Sequence, residues 1–190
     1  MYPALRAYLN ADGRFTEEQM AFAESVFALR EIRKGEIIQR AGDVASGIYF
    51  VMLGCLRTYL IDDAGKEQTV QFLPENWWLS DHASATNRTA GRYFVDAVEA
   101  SEVLVTDWPS AEKVLRAMPE MAEHYRGGLQ RAQAAKERRI VTALHASARE
   151  KYLDFLEQYP TLALRVPLHM LASYLGITPE TLSRVRATIK

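Results

Sequence analysis

Leu168-His-Met-Leu-Ala-Ser-Tyr-Leu-Gly-Ile-Thr-Pro-Glu-Thr-Leu-Ser-Arg-Val-Arg186 is the stretch on which the reading of this chain turns. Leu168, Leu171, Ala172 and Leu175 fall at the i, i+3, i+4, i+7 spacing that puts them on one face of a short helix. Gly176 follows, where a chain leaving a helix needs left-handed backbone. Thr178 then serves as a cap, Pro179 suits a first helical turn, and Glu180 complements the dipole of a second helix. In that second helix Leu182, Val185 and Ile189 face inward, leaving Glu180, Thr181, Ser183, Arg184 and Arg186 to supply the outward side chains. The small Ala172 lets the two helices cross at close range.

Two short helices joined by a tight turn, the second with a polar outer face, form a helix-turn-helix suited to the DNA major groove. Arg184 has the fork geometry for guanine O6 and N7, and Glu180 is an acceptor for cytosine N4. The Thr178, Thr181 and Ser183 hydroxyls reach phosphates or base edges. An ordinary helical hairpin would share the aliphatic spacing. Agreement of cap, proline, glycine and spacing within one segment favours the reader.

Working outward, the net charge of −1 argues against a nucleic-acid partner until it is divided along the chain. Residues 1–125 hold 12 Lys and Arg against 19 Asp and Glu, whereas residues 126–190 hold 11 against 5. A basic tail on an acidic body fits phosphate contact at one end. The alternative is that Arg131, Lys136, Arg138 and Arg139 are only the solvated face of a helix. With 190 residues, 48% of them hydrophobic, the chain is expected to form a packed core in one domain or two small ones. Cys55 is the only cysteine, which excludes intrachain disulfides and cysteine-ligated clusters within one chain, so a core role is expected for it. No run of about 18 apolar residues exists to span a bilayer, and the start lacks a secretory stretch; no membrane and a cytoplasmic location are the expectations.

Residues 1 to about 30 read as helical, with Thr16-Glu17-Glu18 as cap and first turn. From Ile32 to about Thr106 short β-rich runs alternate with Gly, Asp and Pro: Ile37–Ile38, Ile48–Val51, Leu56–Leu60, Thr69–Phe72, Tyr93–Val95 and Val103–Val105. This predicts a sandwich, barrel or roll, with Asp62-Asp-Ala-Gly65 as a hairpin turn. After Trp108-Pro109 the strand signals stop. A long helix is expected from about Pro119 to Leu144, with Gly127-Gly128 as a weak point and length enough for a pairing surface between subunits. Ser147-Ala-Arg-Glu150 is a capping box opening another helix that Pro160 ends.

A β-roll, a long helix and a C-terminal helix-turn-helix together resemble the Crp/Fnr superfamily of bacterial transcription regulators. The front of the chain carries this on Lys34-Gly-Glu36, Ala41-Gly-Asp43, Ile48-Tyr-Phe-Val51, Gly54, Arg57 and Gly65, and the back on Leu171 to Arg184. The implied fold class is α+β: a double-stranded β-helix, jelly-roll-like, over residues 1–118 with the N-terminal helix; a dimerisation helix over 119–144; a helix-turn-helix domain over 145–190. The resemblance implies a homodimer that pairs along the long helix and reads a two-fold symmetric operator in double-stranded DNA, with RNA polymerase a further candidate partner. Glu180 and Arg184 fall where the family's base-reading Glu and Arg fall. Pro179 replaces an Arg that some members use, so the operator is expected to differ.

The ligand side departs from the family. Cyclic-nucleotide-binding members hold the phosphate and ribose with a Gly-Glu pair and an Arg-Ser/Thr-Ala cluster; Ser80-Asp81 and Gly91-Arg92-Tyr93 stand at those places here. A buried phosphodiester needs a close guanidinium, so gating by cyclic AMP is not expected. Arg88-Thr-Ala90 reproduces the cluster three residues early, which leaves open a shifted loop. Asp81, Arg88, Arg92 and Tyr93 are the candidate effector residues, Trp77 and Trp78 read as core or pocket lining, and the effector is unknown. No cofactor or metal is expected, because His82, His124, His145 and His169 are scattered. That also weighs against a metal-dependent enzyme on a cupin-like roll.

Overall fold

The computed structural model describes residues 2–10 and 14–189. The N-terminal part is α1 (Pro3–Leu9) and α2 (Glu17–Ser25), the latter opened by a Thr16–Gln19 capping box, and the chain then enters β1 (Ala28–Ile32). The expectation of helix to about residue 30 is therefore corrected at its end, and its residues 11–13 lie outside the described residues. β1 is an edge strand whose first four residues are exposed, so it carries no alternating pattern; pairing with a neighbouring strand makes it β.

Among the described residues, eight strands form two antiparallel four-stranded sheets. The remaining strands are β2 (Ile37–Gln39), β3 (Gly47–Leu53), β4 (Leu56–Ile61), β5 (Glu67–Leu73), β6 (Trp78–Ser80), β7 (Phe94–Ala97) and β8 (Ser101–Asp107). The orders are β1-β8-β3-β6 and β2-β7-β4-β5. Their facing sides bury Tyr49, Val51 and Val103 from the first sheet against Leu56, Leu73, Val95 and Ala97 from the second. The period of two along a strand then sends Ile48, Phe50 and Leu104 to the opposite side of the first sheet, where they pack on Leu5, Leu9, Met20 and Val114.

Helix α3 (His82–Asn87) sits between β6 and β7, and α4 (Trp108–Ala117) starts at the Trp108-Pro109 step that ends the strands. The long helix α5 (Pro119–His145) runs 27 residues, unbroken through Gly127-Gly128. Gly128 is a contact rather than a weak point: a Cβ there would lie 2.8 Å from Trp78 Cδ1. Beyond it come α6 (Ala148–Gln158), opened by the Ser147–Glu150 capping box, then α7 (Leu162–Arg165), α8 (Leu168–Leu175) and α9 (Pro179–Thr188). These four share one apolar cluster with the outer side of the second sheet, where Phe72 meets the rings of Phe155 and Tyr174 at 6.1 and 5.2 Å. Cys55 is buried in that cluster, and burial pushes its thiol up to about 12. No helix among the described residues is long and apolar enough to cross a membrane.

Candidate nucleic-acid interface and roll cavity

Leu171, Ala172 and Leu182 are fully buried where α8 crosses α9. Gly176 adopts φ 65° and ψ 37°, and the Ile177 N–H returns to Ala172 O at 3.0 Å, closing the helix with left-handed backbone. The Thr178 hydroxyl accepts from Thr181 N–H at 3.2 Å and lies 3.1 Å from the Thr181 hydroxyl. With these determinants the outer face of α9 is fixed. Thr178, Glu180, Ser183 and Arg184 are exposed, and Pro179 and Thr181 are half-buried. The Glu180 carboxyl is held below its usual range, first by its own backbone N–H at the open helix end and then by the Thr178 hydroxyl. It stays anionic, as an acceptor of amino groups must.

Arg186 does not join this face. Its Nη2 donates to Ala163 O at 2.9 Å and its guanidinium lies over the Tyr152 ring. Other cations of the basic tail also have partners within the chain, some of them on its surface. Arg138 pairs with Asp154 and Glu157, Arg131 donates to the Tyr8 hydroxyl, and Arg165 pairs with Glu75 and Glu99. Of these, Arg165 is paired with acids of the first 125 residues, whereas the acids that Arg138 meets already belong to the tail's own count, and the surface of α9 itself carries Arg184.

The second feature is a cavity of about 470 Å³ between the inner face of the second sheet and α5. Thr58, Gln71 and Tyr93 line it from the sheet, Asp81 from the end of β6, and Gln133 and Lys136 from α5. Of the expected effector residues, Asp81 and Tyr93 meet here, while Arg88 and Arg92 are not among the lining residues. Arg88 has left-handed backbone (φ 52°) as the C-cap of α3, and both arginines are exposed. Asp81 uses one carboxylate oxygen to cap α3 at Ser84 N–H. Trp78 lines the cavity, whereas Trp77 packs towards Tyr159 of the C-terminal helices, with ring centroids 6.0 Å apart. Gln71 Nε2 is buried without a hydrogen-bond partner.

Ser173 and Arg139 join these two features, and Arg139 is not part of a solvated helix face as the alternative expectation had it. Ser173 Oγ accepts from Thr69 N–H and donates to Glu67 O, both at 2.9 Å. Arg139 donates to Thr69 O, Val70 O and Tyr174 O at 2.9, 2.7 and 3.0 Å. Its position in a basic run and that of Ser173 in the quoted stretch were visible, but nothing in the local sequence signals partners so far away along the chain.

Residues 29–117 match the family model described as Cyclic nucleotide-binding domain. The chain is 30% identical over 184 residues to the transcriptional activator protein anr of Pseudomonas aeruginosa, covering 89% of this chain and 73% of that one. Among solved structures it is similar to FixK2 from Bradyrhizobium japonicum (TM-score 0.76, 21% identity, covering 86% of this chain and 84% of that one). A further similar structure is the c-di-GMP responsive global regulator CLP of Xanthomonas campestris (TM-score 0.74, 12% identity, covering 92% and 91%). With the roll, the long helix and the helix-turn-helix in one chain, and relatives that are regulators rather than enzymes, this protein belongs to the Crp/Fnr superfamily of transcription regulators.

Proposed function

We propose that the chain acts as a homodimer on a two-fold symmetric operator, each α9 entering a major groove, and that cyclic AMP does not gate it. Residues 1–118 then form the sensor, 119–144 the pairing helix and 145–190 the DNA-binding domain. The observation that carries this reading is the outer face of α9: Glu180 and Arg184 are exposed one turn apart on a helix fixed by a buried Leu182 and a capping Thr178. Pairing is supported by Ile140, Val141 and Leu144, which lie exposed near the end of a helix about 40 Å long. A two-fold dimer that holds its readers about 34 Å apart matches successive major grooves.

Selection of bound fragments from genomic DNA tests this reading. It predicts recovery of an inverted-repeat sequence, and recovery of random fragments contradicts it. A second reading, a small-molecule gate, is favoured by the cavity of about 470 Å³, a size usual for ligand sites. Against a cyclic nucleotide stand the lack, among the described residues, of an arginine in its lining and the presence of Asp81. Calorimetry with millimolar cyclic AMP and cyclic GMP is expected to give no binding heat, and saturable heat would reinstate the nucleotide.

A further inference from the structure

The second sheet ends in edge strand β5, and β5 is irregular where the C-terminal unit meets it. Thr58 pairs with Gln71 but Tyr59 pairs with Thr69, so Val70 is the extra residue of a β-bulge. A bulge on an edge strand leaves main-chain groups unpaired. Arg139 of α5 takes the Thr69 and Val70 carbonyls, and its Nε takes Tyr174 O in the last turn of α8. The same guanidinium lies 4.5 Å from the centroid of the Tyr174 ring. Among the described residues it has no carboxylate partner. One planar cation therefore ties together α5, the strand that walls the cavity and the first helix of the DNA reader. Val70 and Gln71 of β5 line the cavity, as do Gln133 and Lys136 of α5.

This tie has a consequence for the reader. Lys66, Glu67 and Gln68 of the β4–β5 hairpin form one wall of a cleft of about 690 Å³, and Ser173, Thr178 and Pro179 form another. The N-terminal turn of a recognition helix is the part that meets base edges. Here that turn stands beside a hairpin whose tip carries Asp62 and Asp63, and acidic groups oppose a phosphate backbone.

Resting on the reading of α8–α9 as the DNA reader, we propose that Arg139 is a positioning residue that latches the reader closed against β5, and that DNA binding requires its release. A guanidinium held by carbonyls and one ring face can leave for solvent without stranding a buried counter-ion, which suits a reversible contact.

The test compares full-length wild type with Arg139→Gln and the milder Ser173→Ala, each shown folded by its thermal transition. The probe is a duplex enriched by the wild-type chain from a random-sequence pool. Removing a latch raises the fraction of binding-competent molecules, so affinity is expected to rise about tenfold for Arg139→Gln and about threefold for Ser173→Ala. Amide exchange at Thr69 and along α8 should quicken in both variants without effector. Unchanged or weakened DNA affinity in both folded variants would overturn the latch, because a merely structural Arg139 gives no gain. Arg184→Ala in the same assay separates the two failures: if it binds the duplex as wild type does, the reader assignment has failed rather than the latch.

Discussion

The α8–α9 unit and the roll cavity hold their charged side chains in opposite ways. On α9, Glu180 and Arg184 face outward on backbone fixed by a cap, a left-handed glycine and a buried leucine. Around the cavity, the arginines that would bind a phosphodiester are exposed outside the lining, and the acid that does line it caps a helix. Within one fold, then, one site presents charge outward, in the form expected for DNA, while the lining of the other includes Asp81 and, among the described residues, no arginine. The sheets themselves are held together by an apolar cluster that includes Tyr49, Val51, Leu56 and Val95.

The comparison breaks first at the core of the reader. Leu182→Ala removes a fully buried side chain and should cost about 2–5 kcal/mol, measured by chemical denaturation. A loss under about 0.5 kcal/mol would mean that α9 is not anchored as described. Next in size, Arg184→Ala should remove about 1–3 kcal/mol of base discrimination per half-site, read as the ratio of affinities for selected and random duplexes. Thr178→Ala should cost about 1 kcal/mol of stability through the lost cap, visible in the same denaturation experiment.

The smallest effect sharpens the contact between the two regions. Burial acts to raise the Glu75 carboxyl, but the hydrogen bond and charge of Arg165 outweigh it and hold the group below the usual glutamate range. A carboxyl depressed in the folded state stabilises above its unfolded value, and that contribution is lost as pH falls through the depressed value. Wild type should therefore lose stability below about pH 4. Arg165→Ala should show a shallower dependence in a pH series of melting curves, and identical slopes would remove Arg165 from the docking contact.

What was legible in the sequence follows from where each determinant lies. Thr16, Ser147, Gly176 and Thr178 act on neighbours within a few residues, so the helix starts and the reading turn could be read directly. β1 is exposed over most of its length and β6 is three residues long; neither offers a period to detect. The contacts of the proposed latch were invisible for a different reason. Ser173 meets Thr69 across 104 residues, and Arg139 meets Val70 across 69, so only the folded chain brings them together. The pairing of tail cations was hidden for the same reason, since Arg165 meets Glu75 and Glu99 and Arg186 meets Ala163 O only in the folded chain. Position along the loop after α3 cannot tell which of its side chains turn inward: Tyr93 lines the cavity, whereas Arg88 and Arg92 are exposed outside it.

The most direct test of the central claim is the salt dependence of binding to the selected duplex, measured for wild type and Arg184→Ala. Affinity is expected to fall steeply as salt rises, and the variant is expected to keep binding random DNA while losing its preference for the selected sequence. Equal preference in the two proteins would contradict the assignment of α9 as the base-reading helix.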